Sequence, residues 1–209
     1  METRATTRGG LRIDAGDVIV EIISIVIALS LAYALNAWHD GAKQRRDASA
    51  ALDLIRREVV ANREALVPRL RHHENITAAF ASLESKTIAR HRVSYDIFWQ
   101  TFRRVNPNGF MPFAAERTAW DLAHTSGALA NVDQAVLVPL EEVYHRQDQV
   151  ESYRDKIIAD LHVVPVEGDN VFYSLSGFLI DTGDLMSNER NLLAHYDDAL
   201  RALDGAGIR

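Results

Sequence analysis

Cysteine is absent from all 209 residues, and with it go disulfides, thiolate metal sites and cysteine nucleophiles. The compartment stays open, because a chain without thiols is safe on either side of a membrane. A basic surplus is missing too: the formal net charge is -6, the wrong sign for a nucleic-acid binder. No glycine-rich phosphate loop, nucleophile elbow or kinase signature occurs. No stretch alternates apolar and polar residues long enough to read as a strand. What is present is ordinary for globular protein, with 47% hydrophobic and 25% charged residues. The length suits one domain plus an appendage.

The charge is unevenly spread. Residues 61–129 carry 9 basic and 6 acidic side chains, whereas residues 130–209 carry 6 and 15. Two readings follow: solvated helical faces that attract each other, or an acidic docking surface for a basic partner.

One long apolar run stands out. From Val18 to Trp38 only Glu21, Ser24, Ser30 and Asn36 interrupt the hydrophobic residues. A helix of that length covers about 31 Å, close to the roughly 30 Å of bilayer hydrocarbon. A cleaved signal peptide would be shorter and followed by small residues; here the run passes into a charged helical pattern. The expectation is a tail over 1–16, a transmembrane anchor over 17–40 and a helical extramembrane domain over 41–209. Trp38 suits an interfacial aromatic belt. Glu21, one turn inside the other boundary, is either an interfacial residue or an intramembrane acid with a partner. Ser24, Ala28 and Ala32 form a small-residue row that lets a second helix approach closely. Arg4, Arg8 and Arg12 before the run nearly balance Lys43, Arg45 and Arg46 after it, and the amino terminus tips the count toward an N-terminus inside.

The anchor resembles that of a family of single-pass bacterial membrane proteins of unknown function, whose anchors begin Glu-Ile and end Asn-x-Trp-x-acid. Here the pattern is Glu21-Ile22 and Asn36-Ala37-Trp38-His39-Asp40. Ala28 stands where that family usually has glycine, and Ala32 matches its alanine. Thr118-Ala119-Trp120 followed by Ser126-Gly127-Ala128-Leu129 is similar to an aromatic-bearing helix and Ser-Gly-x-Leu of the same family. The resemblance implies an inner-membrane anchor, a basic tail in the cytoplasm and a helical periplasmic domain. The tail here is shorter and less basic than the family's. No activity or cofactor comes with the resemblance.

The remainder reads as all-α, with the anchor helix continuing into a bundle of four or five helices. Ala48, Leu52, Ile55, Val59, Asn62 and Leu66 recur at alternating spacings of four and three, the seam of a helical hairpin or a short coiled coil. Pro68 is expected to kink or end that helix, with Ile76, Phe80 and Leu83 carrying on an apolar stripe. Tyr95, Phe98, Trp99, Phe102, Phe110 and Phe113 crowd around the turn Asn106-Pro107-Asn108-Gly109. They read as core packing or, beside Arg103 and Arg104, as a partner-facing patch. Pro112 can open the next helix, Gly127 can close it, and Asn131 or Asp133 can start another. Its stripe is Val136, Leu140, Val143, Gln147, Val150, Arg154, Ile157 and Leu161, with polar breaks at Gln147 and Arg154. A last helix carries Phe172, Leu175, Phe178, Leu179, Leu192, Leu193, Tyr196, Leu200 and Leu203, ending near Gly205.

Chemistry is hard to find. His72, His73 and Glu74 are adjacent, so neighbouring side chains point about 100° apart on a helix and chelate poorly. Thr77 stands where a zinc-protease motif needs its second histidine. His195 and Asp198 are a turn apart and suit either a metal or a surface pair. Glu141-Glu142 and Asp197-Asp198 are consecutive and read as solvated. The expectation is no enzyme, no metal and no cofactor. The partners expected are the lipid bilayer and other membrane protein subunits, with no nucleic acid, for a structural or accessory subunit. The alternative is a self-associating scaffold or sensor, a homo-oligomer held by the anchor row and the 48–66 seam. An enzyme built on dispersed histidines is the third reading.

Overall fold

The computed structural model describes residues 15–107, 114–162, 164 and 170–208, with side chains from Ile23 onward. Its elements are α1 (Ala15–Thr87), α2 (Tyr95–Val105), α3 (Thr118–Thr125), α4 (Gln134–His162) and α5 (Phe172–Gly205), with a 3-10 turn at Ile88–Arg90. Among the described residues there is no strand, so the chain is all-α, a long N-terminal helix followed by a helical bundle. It divides into two compact units after Arg46.

The first unit is helical, and from Ile23 onward it is long and apolar enough, by length and composition, to cross a membrane. Its side chains are exposed all round, with Leu29 at 66% and Tyr33 at 79%. Ordinary helices of a globular domain bury one face and wet the other; this one has no polar face.

In the second unit the seam of α1 is covered. Leu52, Ile55, Val59, Asn62 and Leu66 are buried, and the buried stripe runs on through Ile76 to Phe80. The expectation that Pro68 ends the helix is overturned. Pro68 lies inside α1 on the solvent side, so the Glu64 carbonyl that it leaves without a donor can be hydrated. Leu66 and Leu70, buried on the opposite side, hold the helix across it. Replacing Pro68 by Ala restores the backbone bond at no cost in packing. It should raise the unfolding free energy by about 1–2 kcal/mol, part of the helix gain being offset by the freer unfolded chain. Denaturant titration of the two proteins checks this.

α5 runs antiparallel to α1. Arg56 and Arg63 meet Asp204 and Asp197 at 2.9 and 2.7 Å, one heptad forward in α1 matching one heptad back in α5. Further along, Arg190 reaches Glu74 at 2.8 Å and Ser176 donates to Glu84 at 2.7 Å. Of these, Arg63–Asp197 joins the basic segment to the acidic one, while Arg190–Glu74 runs the other way. The three ion pairs keep access to water, and each contributes at most about 1 kcal/mol; they specify register more than they stabilise. α4 packs on α5, burying Val136, Leu140, Val143, Gln147, Val150, Ile157 and Leu161.

The helix ends follow local chemistry. Ser94 caps α2, its hydroxyl accepting from the Ile97 N–H, and Arg103 and Arg104 complement the dipole in the last turn. Asp133 accepts from the Ala135 N–H at 2.8 Å at the start of α4. Gly127 adopts a left-handed φ of 73° after α3, and the Ala128 N–H reaches back to the Ala123 carbonyl. α3 begins only at Thr118; Pro112, expected to open it, lies outside the described residues. Its first residue follows Arg117, which provides no side-chain cap.

Candidate functional site

The cap that α3 lacks locally is supplied from α1. Glu58 projects from the seam and is 7% exposed. Its two oxygens accept the Ala119 N–H at 2.7 Å, the Trp120 N–H at 3.3 Å and the Tyr144 hydroxyl at 2.7 Å. A carboxylate at a helix N-terminus satisfies orphan amides and meets the positive end of the dipole. One turn on, Asn62 donates to the Glu116 carbonyl at 2.6 Å and accepts its N–H at 2.8 Å. From α4, Glu151 accepts the Ala115 N–H. The chain leading into α3 is therefore strapped to α1 and α4 by side chains. Tyr144 stacks on Trp120, with ring centroids 4.7 Å apart and planes 17° from parallel. Burial, with the Glu58 carboxylate next to it, pushes the Tyr144 hydroxyl well above its usual range, so it stays a donor. Burial likewise raises Tyr196, whose hydroxyl accepts from Gln147 at 2.8 Å.

A second buried polar group joins α1 to α5. His73 Nδ1 lies 2.8 and 3.0 Å from the two carboxylate oxygens of Glu189, both residues being almost wholly buried. Arg69 is one turn away on α1. Burial and Arg154 push its pKa down, while Glu189 pulls it up. Glu189 therefore has two basic neighbours on α1.

Both groups are engaged inside the domain. Glu58 spends both oxygens on internal donors, and Glu189 is closed by His73. A general base needs an open lone pair within reach of a substrate. His72 and His73 diverge, as adjacent helical residues must: His72 Nε2 meets Asn106 Oδ1 at 2.9 Å while His73 turns inward. Asp198 is engaged by Arg201 rather than by His195. Among the described residues no group of three histidine or acidic side chains converges.

The aromatic patch divides. Phe98 is fully buried and meets Phe80 and Phe178 at centroid distances of 5.1 and 6.1 Å, so its assignment to a partner-facing surface is corrected. Tyr95, Trp99 and Phe102 are half-buried. With Arg103 and Asn106 they line an open groove along α2. They fall at i, i+4 and i+7, which puts them on one side of the helix, and the Trp99 indole N–H, buried there, has no acceptor among the described residues. Arg104 is exposed beside them. Phe110 and Phe113 lie outside the described residues.

In the first unit Ser24, Ala28, Ala32, Asn36 and Trp38 are all on exposed helix. Glu21 is within α1, and its side chain lies outside the described part.

Reading the sequence missed Glu58, Glu189 and Tyr144 as structural partners. The signal was available only in part: Asn62 and Gln147 interrupt otherwise apolar stripes, and a polar residue on a buried stripe has to find a mate. Glu189 falls between two groups of apolar residues in α5 and carried no such mark. Comparison with known protein families, with curated proteins and with solved structures gives no match.

Proposed function

We propose that this chain is a single-pass protein of the bacterial inner membrane that serves as a structural or accessory subunit of a larger membrane complex. In this reading residues 17–40 sit in the bilayer, the N-terminal tail is cytoplasmic and the helical domain is periplasmic. The observation that carries it is the exposure of the apolar residues from Ile23 to Trp38. Such a surface is costly in water, at roughly 25 cal/mol per Å², and costs nothing in hydrocarbon. The groove of Tyr95, Trp99, Phe102 and Arg103, rimmed by Arg104, is the surface offered to a neighbouring subunit: aromatic and arginine side chains dominate protein interfaces.

The self-associating scaffold or sensor has less behind it. Its seam at 48–66 is consumed inside the domain from Leu52 onward, which leaves it chiefly the Ser24, Ala28 and Ala32 row.

Extraction from the native membrane in mild detergent, followed by particle mass and identification of co-purifying chains, tests the proposal. Stoichiometric partners that are lost in a Trp99→Ala, Phe102→Ala variant support it. A homo-oligomer alone favours the scaffold, and a bare monomer that retains no partner in native membranes removes both. Leu29→Lys, at the middle of the run, should cost about 2.5–3.5 kcal/mol in insertion and shift the protein out of the membrane fraction. Leu122→Lys, on an exposed position of α3, should leave it there. Equal membrane recovery for the two variants would count against the anchor.

A further inference from the structure

The second unit contains a cavity of about 230 Å³, far from the α2 groove in character. Its floor is Phe98, Ile157, Leu161 and Phe178, with Val164 at the side, and its mouth is formed by Asp160, Asp181 and Ser174. Lys156 stands across that mouth, its ammonium 3.0 Å from Asp160 and 2.7 Å from Asp181. Two carboxylates and one ammonium leave the rim with one net negative charge. The wider field has the same sign, since residues 130–209, which include both lining helices, carry 15 acidic and 6 basic side chains. Gly177 borders the space in the interior of α5, and a Cβ built on it meets nothing within 4 Å. Glycine inside a helix is unfavourable relative to alanine, and here no neighbour in the fold requires it. Gly183 in the same helix has equal room but is not among the residues that line this cavity.

An enclosed apolar floor with a few convergent polar groups at its entrance is the common form of a small-molecule site. We infer that this cavity binds a small amphipathic amine, its apolar body on Phe98, Phe178 and Ile157 and its ammonium between Asp160 and Asp181. The second ammonium completes the charge balance, giving an alternating arrangement with Lys156, and Ser174 is placed to accept a further ammonium hydrogen. A carboxylate ligand of the same shape meets repulsion at the rim, and a neutral one loses the ion pairs. The site is independent of the membrane reading and of the α2 groove.

The test uses the full chain in detergent micelles and 2-phenylethylamine as the probe, with 2-phenylethanol and 3-phenylpropanoate as its neutral and anionic counterparts. Backbone amide spectra are followed at Gly177, Asp181 and Asp160. Saturable shifts are expected with the amine, weaker affinity by roughly tenfold with the alcohol, and none with the carboxylate. Asp181→Asn should weaken the amine by roughly tenfold. Gly177→Leu places a side chain in the cavity and a better helix former in α5, so it should keep the fold and abolish binding. Absent or unsaturable shifts with the amine overturn the inference, as does equal binding of the carboxylate. Undiminished affinity in a folded Gly177→Leu protein overturns it too.

Discussion

Glu58→Ala is expected to lower the unfolding free energy of the helical domain by about 3–5 kcal/mol, the range for removing one member of a buried, hydrogen-bonded charged group. Three donors lose their acceptor at once: the Ala119 and Trp120 amides and the Tyr144 hydroxyl. Two of them are the second and third amides of an eight-residue helix, too short to hold itself together without tertiary support. Trp120 then loses its seat against Tyr144, so the near-ultraviolet dichroism of the stacked pair should weaken along with stability. Glu58→Gln keeps one oxygen able to accept and should lose only about 1–2 kcal/mol, as hydrogen bonds to a charged acceptor are replaced by neutral ones. Tyr144→Phe, which removes one donor and leaves the ring stack, should cost about 1 kcal/mol. Denaturant titrations of the three variants order them. A loss under about 1 kcal/mol for Glu58→Ala would mean that the strap is not what holds α3.

Glu189→Leu is the second large effect, with an expected loss of about 3–5 kcal/mol. It removes the carboxylate that His73 Nδ1 meets in the interior and takes from Arg69 the carboxylate that offsets its burial. His73→Leu alone leaves Glu189 buried with Arg69 as its remaining basic neighbour on α1, a smaller injury of about 2–3 kcal/mol. The double variant replaces the pair by apolar side chains and should be more stable than the sum of the single losses, by about 1–3 kcal/mol. A double-mutant cycle measured by chemical denaturation reads that coupling directly. Strict additivity would show that the two side chains share a space without sharing an interaction.

These two groups also define the limit of what could be read from residue order. The apolar stripes of α1, α4 and α5 were legible, since the 3.6-residue repeat shows which positions face inward. Leu52, Ile55, Leu140, Ile157, Leu192 and Leu203 are all in the core. Asp133 and Gly127 announced helix ends through chemistry that acts within a turn. Pro68 misled because its cost depends on which way it faces: a proline on the wet side of a helix clamped by Leu66 and Leu70 does not stop it. Phe98 and Trp99 are neighbours with the same preference for burial, and only the position of Phe80 and Phe178 decides that one is interior and the other lines a groove.

What the sequence determined by itself was the class and the layout: an all-α chain whose apolar run is long enough to span a bilayer, followed by segments amphipathic enough to form a bundle. Those properties depend on composition and short-range periodicity, which survive any arrangement of the helices. The tertiary structure decided the pairings. Glu58 became a helix cap because α1 passes the start of α3, Glu189 met His73 because α5 returns antiparallel to α1, and Asp160, Asp181 and Lys156 share one rim because α4 lies on α5. Each is a contact between residues distant in sequence, set by register and crossing rather than by any local preference, and no spacing along the chain encodes it.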